Sequence, residues 1–282
     1  MRRAWPAVLF YVLAFAGAAA CSSSSSSSAP LDVPGVPESG APPGTEGGAP
    51  EDASLPEDAD GGVPSGNGDI LGTLASGSCG MLENQLALAT PSLENNLLVF
   101  VAGETYDRAS LSPGGQTLFD STNAGGSSTE SEVLSYEVLR FCEGAKLLKT
   151  ETQIAYQPPD DSGANTITDL SVEIAGKKVG VSVTRAYKPA TQPLTDPELK
   201  ALLEKKLEGV VRSSQRVLPA DRWVKQILHV FSVDKAATDA VGRVWPTIAA
   251  AVRADTIVLV TQTKGGGFVY CNPDPPLGNE CP

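Results

Sequence analysis

The spacing of apolar residues changes along the chain, and the changes mark the predicted elements. Between residues 199 and 211 apolar residues recur every three or four positions, which predicts an amphipathic helix. Thr195 and Glu198 precede it with the spacing of a capping box, so the helix should begin there. Acid–base pairs four residues apart predict a solvated outer face, and the lysines of this helix are interpreted as solubilising.

An earlier helix is predicted from the same kind of pattern. Thr129 and Glu132 form a second capping box, apolar residues follow at helical spacing, and Gly144 ends the helix. Cys142 closes the apolar row of this helix and is interpreted as a buried thiol. Upstream, residues 81–118 are expected to hold a short helix and a strand around 97–102.

Runs of alternating or continuous apolar residues predict the strands of a sheet. These runs cover residues 146–156, 167–174, 178–187, 223–233, 256–262 and 268–270. Two of them flank Ala175, Gly176 and Lys177 and should form a hairpin, and a further helix is predicted for residues 234–252. Helices and strands in this order predict an α/β domain with a mixed central sheet and helices on its faces.

The N-terminal residues have a different character and are predicted to lie outside that domain. Two arginines, an uncharged run from 4 to 20 and three alanines before Cys21 predict a signal peptide over residues 1–20. Ala18–Cys21 resembles the lipobox of bacterial lipoproteins, which implies a lipid on Cys21, a membrane anchor and a place on the periplasmic or outer side of the cell envelope. Cleavage after Ala20 to give a soluble secreted protein is the alternative, and twin-arginine export is a weaker one.

The segment from 21 to 75 is predicted to be a disordered tether. It contains seven consecutive serines, and between residues 22 and 69 it carries nine acids and no Lys or Arg. A single α/β domain then occupies residues 76–282. From residue 70 onward 24 acids face 19 bases, a net charge of −5. That balance disfavours a broadly basic surface, so nucleic acid is not an expected partner, whereas a protein or a small ligand is.

Four cysteines follow the tether, and an oxidising compartment would allow them to form disulfides. Sequence alone leaves three full pairings open. Cys79, Cys271 and Cys281 lie toward the ends of the domain, where a covalent link would oppose fraying. We therefore predict at least one disulfide between two of these three residues.

The order of helix, three strands, helix, strand, helix and strand between Thr129 and about Gln262 resembles the core of the PD-(D/E)XK nuclease superfamily, which has a restriction-endonuclease-like fold. In that family carboxylates hold Mg²⁺, whose bound water attacks a phosphodiester. The resemblance implies that Glu132 matches the glutamate of the helix and that Asp169 matches the aspartate of the second strand. Glu132 as a capping residue and Asp169 as a hydrogen-bonding strand residue are the structural alternatives.

Ser182 and Thr184 stand where the family places its second acid and its lysine, and Arg185 should point to the opposite face of that strand. Both charged groups are therefore missing. We expect a non-catalytic binding or structural module that needs no cofactor; the alternative is a Mg²⁺-dependent phosphodiester hydrolase that uses Glu132 and Asp169. His229, the single histidine of the chain, lies in an apolar run and is interpreted as structural.

Overall fold

The computed structural model describes residues 69–270, apart from 78, 103, 105, 122–128, 159–166, 190–191 and 193. These residues fall within one compact unit. The predicted signal peptide, Cys21, the tether up to residue 68, Cys271 and Cys281 lie outside the described residues. A strand already begins at Thr73, and Leu71 and Leu74 are buried. The folded domain therefore starts a few residues before the predicted boundary at 76.

The domain is built on a seven-stranded mixed sheet, as the α/β prediction required. Its strands are β1 (Thr73–Gly77), β2 (Ser92–Val99), β3 (Lys146–Thr150), β4 (Leu170–Ile174), β5 (Lys177–Ala186), β6 (Lys225–Ser232) and β7 (Ile257–Lys264). They lie in the order β1-β2-β7-β6-β5-β4-β3. The four central strands β2, β7, β6 and β5 are parallel, whereas β1, β4 and β3 join at the edges as antiparallel strands.

Helices cover both faces of this sheet. They are α1 (Leu82–Gln85), α2 (Pro113–Phe119), α3 (Thr129–Glu143), α4 (Asp196–Arg216), α5 (Lys235–Val244) and α6 (Ala250–Arg253). Apolar residues of α1, α2 and α3 share one core with β5 residues such as Val181. Apolar residues of α4 and α5 share the other core with Leu228 and Val230 of β6. Burial on both faces explains why the central strands read as continuous apolar runs.

Local signals account for the best-predicted elements. The N–H of Thr195 donates to Oε2 of Glu198 at 3.1 Å, which confirms the capping box at the start of α4. Ala175 and Gly176 have φ values of 49° and 71°, as a two-residue hairpin turn between antiparallel strands requires. The predicted hairpin is therefore confirmed, with Lys177 in the strand instead of the turn.

Other boundaries differ from the predictions for physical reasons. The predicted helix 234–252 is broken, because Pro246 lacks the N–H that a helix interior needs. α5 therefore ends at Val244, a 3₁₀ turn follows, and α6 begins at Ala250. α3 begins at Thr129 itself, so this residue lies inside the helix and is not its cap.

Several strand predictions also need correction. The strand predicted around 97–102 is β2, which starts earlier, at Ser92, and ends at Val99. The run 146–156 leaves the sheet after Thr150 in a 3₁₀ turn, and residues 268–270 form another 3₁₀ turn instead of a strand. The short elements β1 and α2 were not predicted.

Candidate functional site

One edge of β5 is left open where β4 begins late. The ladder between the two strands runs from the hairpin to the pair Leu170–Val181, and the N–H of Asp169 adds one bond to the carbonyl of Val181 at 3.1 Å. β5 continues to Ala186, whereas the predicted strand from residue 167 is not formed before Leu170. The last part of β5 therefore has no β4 partner for its backbone groups.

Two charged side chains take up the backbone groups of Val183 on this open edge. The N–H of Val183 donates to Oδ2 of Asp169 at 2.5 Å. The ammonium Nζ of Lys206, on α4, lies 3.5 Å from the carbonyl oxygen of Val183. The carboxylate thus replaces a strand carbonyl and the ammonium replaces a strand N–H. An acid and a base together complete the ladder that β4 leaves unfinished.

The surroundings of Asp169 disfavour the ionised form of its carboxyl group. Its pKa is raised from 3.8 to about 7, chiefly by burial and then by the nearby carboxylate of Glu132. Lys206 and the N–H of Val183 act the other way, since both favour the ionised form. Glu132 reaches this region from α3, where it is only 7% exposed. The structure therefore brings Glu132 and Asp169 into one electrostatic unit.

Ser182 does not join that unit as a ligand, and it shares its face of β5 with Thr184. Both are buried, and Oγ of Ser182 lies 3.5 Å from Oε1 of Gln226 on β6. The amide nitrogen of Gln226 donates to the carbonyl of Val210 and to Oγ of Ser213, at 3.0 and 2.8 Å. Ser182 therefore belongs to a buried polar network that connects the sheet to α4.

Arg185 lies on the α3 side of β5. Its Nη1 donates to the carbonyl of Val269 at 3.2 Å. Burial lowers the pKa of this guanidinium, and the carboxylates of Glu130 and Glu132 oppose that shift. Glu132 thus acts electrostatically on both Asp169 and Arg185, and the positive charge of Arg185 balances part of the buried charge of Glu132.

Lys206 is the site residue that the sequence analysis missed, because the lysines of α4 were interpreted as solubilising. It follows Leu199 by seven residues and Leu203 by three, so it falls on the buried side of α4, unlike the exposed Lys205. A lysine in this row was the available signal. Its aliphatic stem can run along the apolar face while its ammonium reaches the edge of β5.

The residues do not fit the Mg²⁺ that the nuclease resemblance implies. Mg²⁺ prefers several oxygen ligands, yet one oxygen of Asp169 accepts the N–H of Val183 and an ammonium lies at the carbonyl of Val183. Ser182, where the family places an acid, faces Gln226. Within the described part of the chain, no three His, Cys, Asp or Glu side chains are grouped so that they could hold a metal ion.

His229 is fully buried in β6 on the α3 side of the sheet. Nδ1 pairs with Oγ of Ser135 at 2.8 Å, and Nε2 pairs with Oγ1 of Thr261 at 2.7 Å. Burial lowers the pKa of His229 to about 3, so the ring is neutral near pH 7. A general base needs contact with a substrate, and this ring has no exposed surface. The arrangement agrees with a structural histidine.

A disulfide joins Cys79, which precedes α1, to Cys142 in the last turn of α3, with a Cα–Cα distance of 4.5 Å. The interpretation of Cys142 as a buried thiol was therefore wrong, because the helix brings it to the segment after β1. The next residue, Glu143, accepts hydrogen bonds from the N–H groups of Gly80 and Leu82. Since Cys79 is used here, the predicted disulfide within the Cys79, Cys271 and Cys281 set would have to join the last two.

Comparison with known proteins gives little direct guidance. No family model matches the chain, and no solved structure matches it. A Dictyostelium discoideum protein called AAC-rich mRNA clone AAC4 protein is 39% identical over 170 residues, which cover 57% of this chain and 24% of that protein. The chain thus spans about a quarter of that relative's length. Among the described helices, none has the length and apolar character that crossing a membrane requires.

Proposed function

We propose that this protein is an exported, lipid-anchored module whose α/β domain binds a protein or a small ligand, or has a structural role, and carries a nuclease-like site that does not catalyse. The nuclease-like part of the proposal is supported by the succession α3-β3-β4-β5-α4-β6. In the sheet, β3, β4, β5 and β6 are neighbours in that order. The packing of α3 and α4 on opposite faces agrees with the same arrangement.

The observation that carries the non-catalytic proposal is the use of the site's polar groups for internal bonds. Asp169 and Lys206 bind the backbone of Val183, and Ser182 joins the network of Gln226. A metal-dependent hydrolase needs carboxylate oxygens that are open to the ion and a polar group near the leaving oxygen. In this site those groups hold strands and a helix together.

Cleavage assays test this proposal directly. The full-length protein should not cleave DNA or RNA with Mg²⁺ or Mn²⁺, because the missing acid and lysine each contribute a large part of the rate in such sites; even one transition-state donor is worth ~10²–10³. The rival function is a phosphodiester hydrolase that uses Glu132 and Asp169. Metal-dependent cleavage that disappears in Asp169→Ala, and persists in the matched surface variant Asp239→Ala, would establish the rival.

The export part of the proposal rests on the lipobox resemblance and is supported by the Cys79–Cys142 disulfide, since disulfides persist in oxidising compartments. Produced in a bacterial host, the parent protein should sediment with membranes and dissolve in detergent, and Cys21→Ser should be recovered in the soluble fraction. Ser23→Ala, which leaves the cysteine in place, is the control. Equal membrane recovery of Cys21→Ser and the parent would refute the lipid anchor.

A further inference from the structure

A cavity of about 210 Å³ lies on the α4 side of the sheet, and neither Asp169 nor Val183 lines it. The last part of α4 forms one wall, through residues 210, 211, 214 and 215. The other walls are residues 223–226, where β6 begins, and residues 254–256, just before β7. Because a cavity of about 150 Å³ is enough to hold benzene, this one can hold a molecule of about one six-membered ring with a small substituent.

The floor of the cavity is fixed by packing within the sheet. Trp223 is 7% exposed and Gln226 is 2% exposed, so both side chains are held in the core. Gly180 of β5 makes room for them, since a Cβ at this position would lie 2.9 Å from the ring of Trp223 and 2.9 Å from Cγ of Gln226. These two side chains therefore form a rigid floor, as a preformed ligand pocket requires.

A hydroxyl group on the wall of this cavity has a proton without an acceptor. Nε1 of Trp223 donates to Oγ of Ser214 at 2.9 Å, and Nε2 of Gln226 donates to the same oxygen at 2.8 Å. Both nitrogens are donors only, so neither can accept the proton of Ser214. Within the described part of the chain, Oγ of Ser214 makes no further hydrogen bond. The half-buried hydroxyl of Ser214 can therefore donate to an oxygen atom of a ligand.

The charges of the lining disfavour an ionic ligand. Lys225 supplies a cation, but its ammonium is bound by three backbone carbonyls, of residues 85, 88 and 90, at 2.8 to 3.0 Å. Asp255 is exposed, and its carboxylate has no hydrogen-bond or ion-pair partner among the described residues, so it repels an anionic ligand. An ammonium ligand would suit Asp255 but could not accept the proton of Ser214. An uncharged oxygen acceptor avoids both problems.

We propose that this cavity binds a small, uncharged molecule through a carbonyl oxygen: Ser214 donates to that oxygen, and the apolar part of the molecule packs against Val210, Val211 and the ring of Trp223. The inference rests on the ligand-binding part of the proposed function and gives it a site and a ligand class. The site is separate from the nuclease-like residues. Gln226 connects the two regions, because it contacts Ser182 as well as Ser214.

The test follows the indole N–H signals of the full-length, nitrogen-15-labelled protein by NMR during titration with cyclohexanone, a six-membered ring with one carbonyl oxygen. The signal of Trp223 should shift and saturate, with a Kd on the order of 1 mM for a ligand of this size. Trp245 does not line the cavity, so its signal is the internal reference and should stay unchanged. Cyclohexylamine and cyclohexanecarboxylate, which are cationic and anionic at neutral pH and have the same ring, should bind at least about threefold more weakly.

Substitutions in α4 locate the ligand. Ser214→Ala removes the donor and should weaken cyclohexanone binding about three- to tenfold, since one net hydrogen bond is lost, whereas Ser214→Thr keeps the hydroxyl and should bind like the parent. Val211→Phe fills the cavity and should abolish binding. Ala201→Phe adds the same ring at an exposed position of α4 outside the lining and should leave binding unchanged. Val211 is only half-buried, so the larger side chain should not prevent folding.

Three results would overturn the inference. One is a Trp223 signal that does not shift, or shifts without saturation, as cyclohexanone is added. The second is equal or tighter binding of either charged probe. The third is cyclohexanone binding that is equally tight in Ser214→Ala and Ser214→Thr, or in Val211→Phe and Ala201→Phe. Each of these results would leave the lipid anchor and the absence of catalysis standing, because membrane fractionation of Cys21→Ser and the cleavage assays test those separately.

Discussion

Asp169, which is half-buried, and His229, which is fully buried, are two titratable groups on opposite sides of Val183. Asp169 accepts the N–H of Val183 from the β4 side, and His229 is the register partner of Val183 on β6. Two neutral hydroxyls, from Ser135 and Thr261, satisfy both ring nitrogens of His229. Asp169 instead lies among charged groups. His229 is therefore a neutral, fully paired group, whereas the charge of Asp169 depends on its neighbours.

Burial favours the neutral form of both groups, which lowers the pKa of His229 and raises the pKa of Asp169. The consequences for stability have opposite signs. The pKa of His229 falls from 6.5 to about 3, so between these values the unfolded chain binds a proton that the folded protein does not, and stability increases as pH rises. The pKa of Asp169 rises from 3.8 to about 7, so the folded protein keeps a proton that the unfolded chain has lost, and stability decreases as pH rises. The two effects oppose each other between pH 3.8 and 6.5, where the two ranges overlap.

Removal of the histidine should have the largest effect on stability. His229→Ala leaves a cavity in the core and removes the partners of Ser135 and Thr261, so we expect the free energy of unfolding to fall by roughly 3 to 4 kcal/mol. Urea denaturation at pH 7 measures this loss. His229→Phe is the matched control, because it fills the space beside Phe231, with which His229 is stacked. It should lose about half as much, and parent-like stability of His229→Ala would contradict the structural role.

Replacement of the carboxyl group should expose the effect of the histidine on pH dependence. Asp169→Asn keeps an acceptor for the N–H of Val183 but cannot titrate. Its stability should climb as pH rises from about 4 to 6.5, by on the order of 1 kcal/mol per pH unit, whereas the parent should change much less. His229→Phe should show the opposite slope. Urea denaturation across this range measures both, and identical profiles of Asp169→Asn and the parent would show that Asp169 has no raised pKa.

The parts of the molecule that sequence could predict are those with local signals. α4 is specified by its own capping box and apolar row, and the β4–β5 hairpin by the turn at Ala175–Gly176. Each of these signals lies in residues that are close together in the sequence. β1 and α2 are short and contain or adjoin glycines, so their patterns were too weak to read. The pairing of Cys79 with Cys142, 63 residues apart, depends on how α3 packs against the segment after β1.

Only part of the candidate site could be predicted, because only part of it has a signal in the local sequence. Glu132 and Asp169 do lie in one electrostatic unit. Lys206 was recognisable from its spacing to Leu199, but its target was not, because the open edge at Val183 exists only where β4 starts late. Tertiary placement, which the residue pattern does not contain, decides which backbone groups need a charged partner.

The smallest expected effect concerns the charge of Glu132. Because that carboxylate raises the pKa of Asp169, Glu132→Gln should lower the pKa of Asp169 toward its ordinary value, and burial should still keep it elevated. Carbon-13 NMR titration of the Asp169 carboxyl group measures the shift. Glu130→Gln is the matched control, since Glu130 lies on the same helical turn and acts on Arg185 but is not among the groups that shift the pKa of Asp169. The two acids differ by two positions in α3, so their side chains leave the helix in different directions, and of the two only Glu132 is among the groups that raise the pKa of Asp169. If both variants lowered the pKa of Asp169 equally, the effect would come from the general field of α3, and the contrast with the neutral surroundings of His229 would no longer depend on one neighbouring carboxylate.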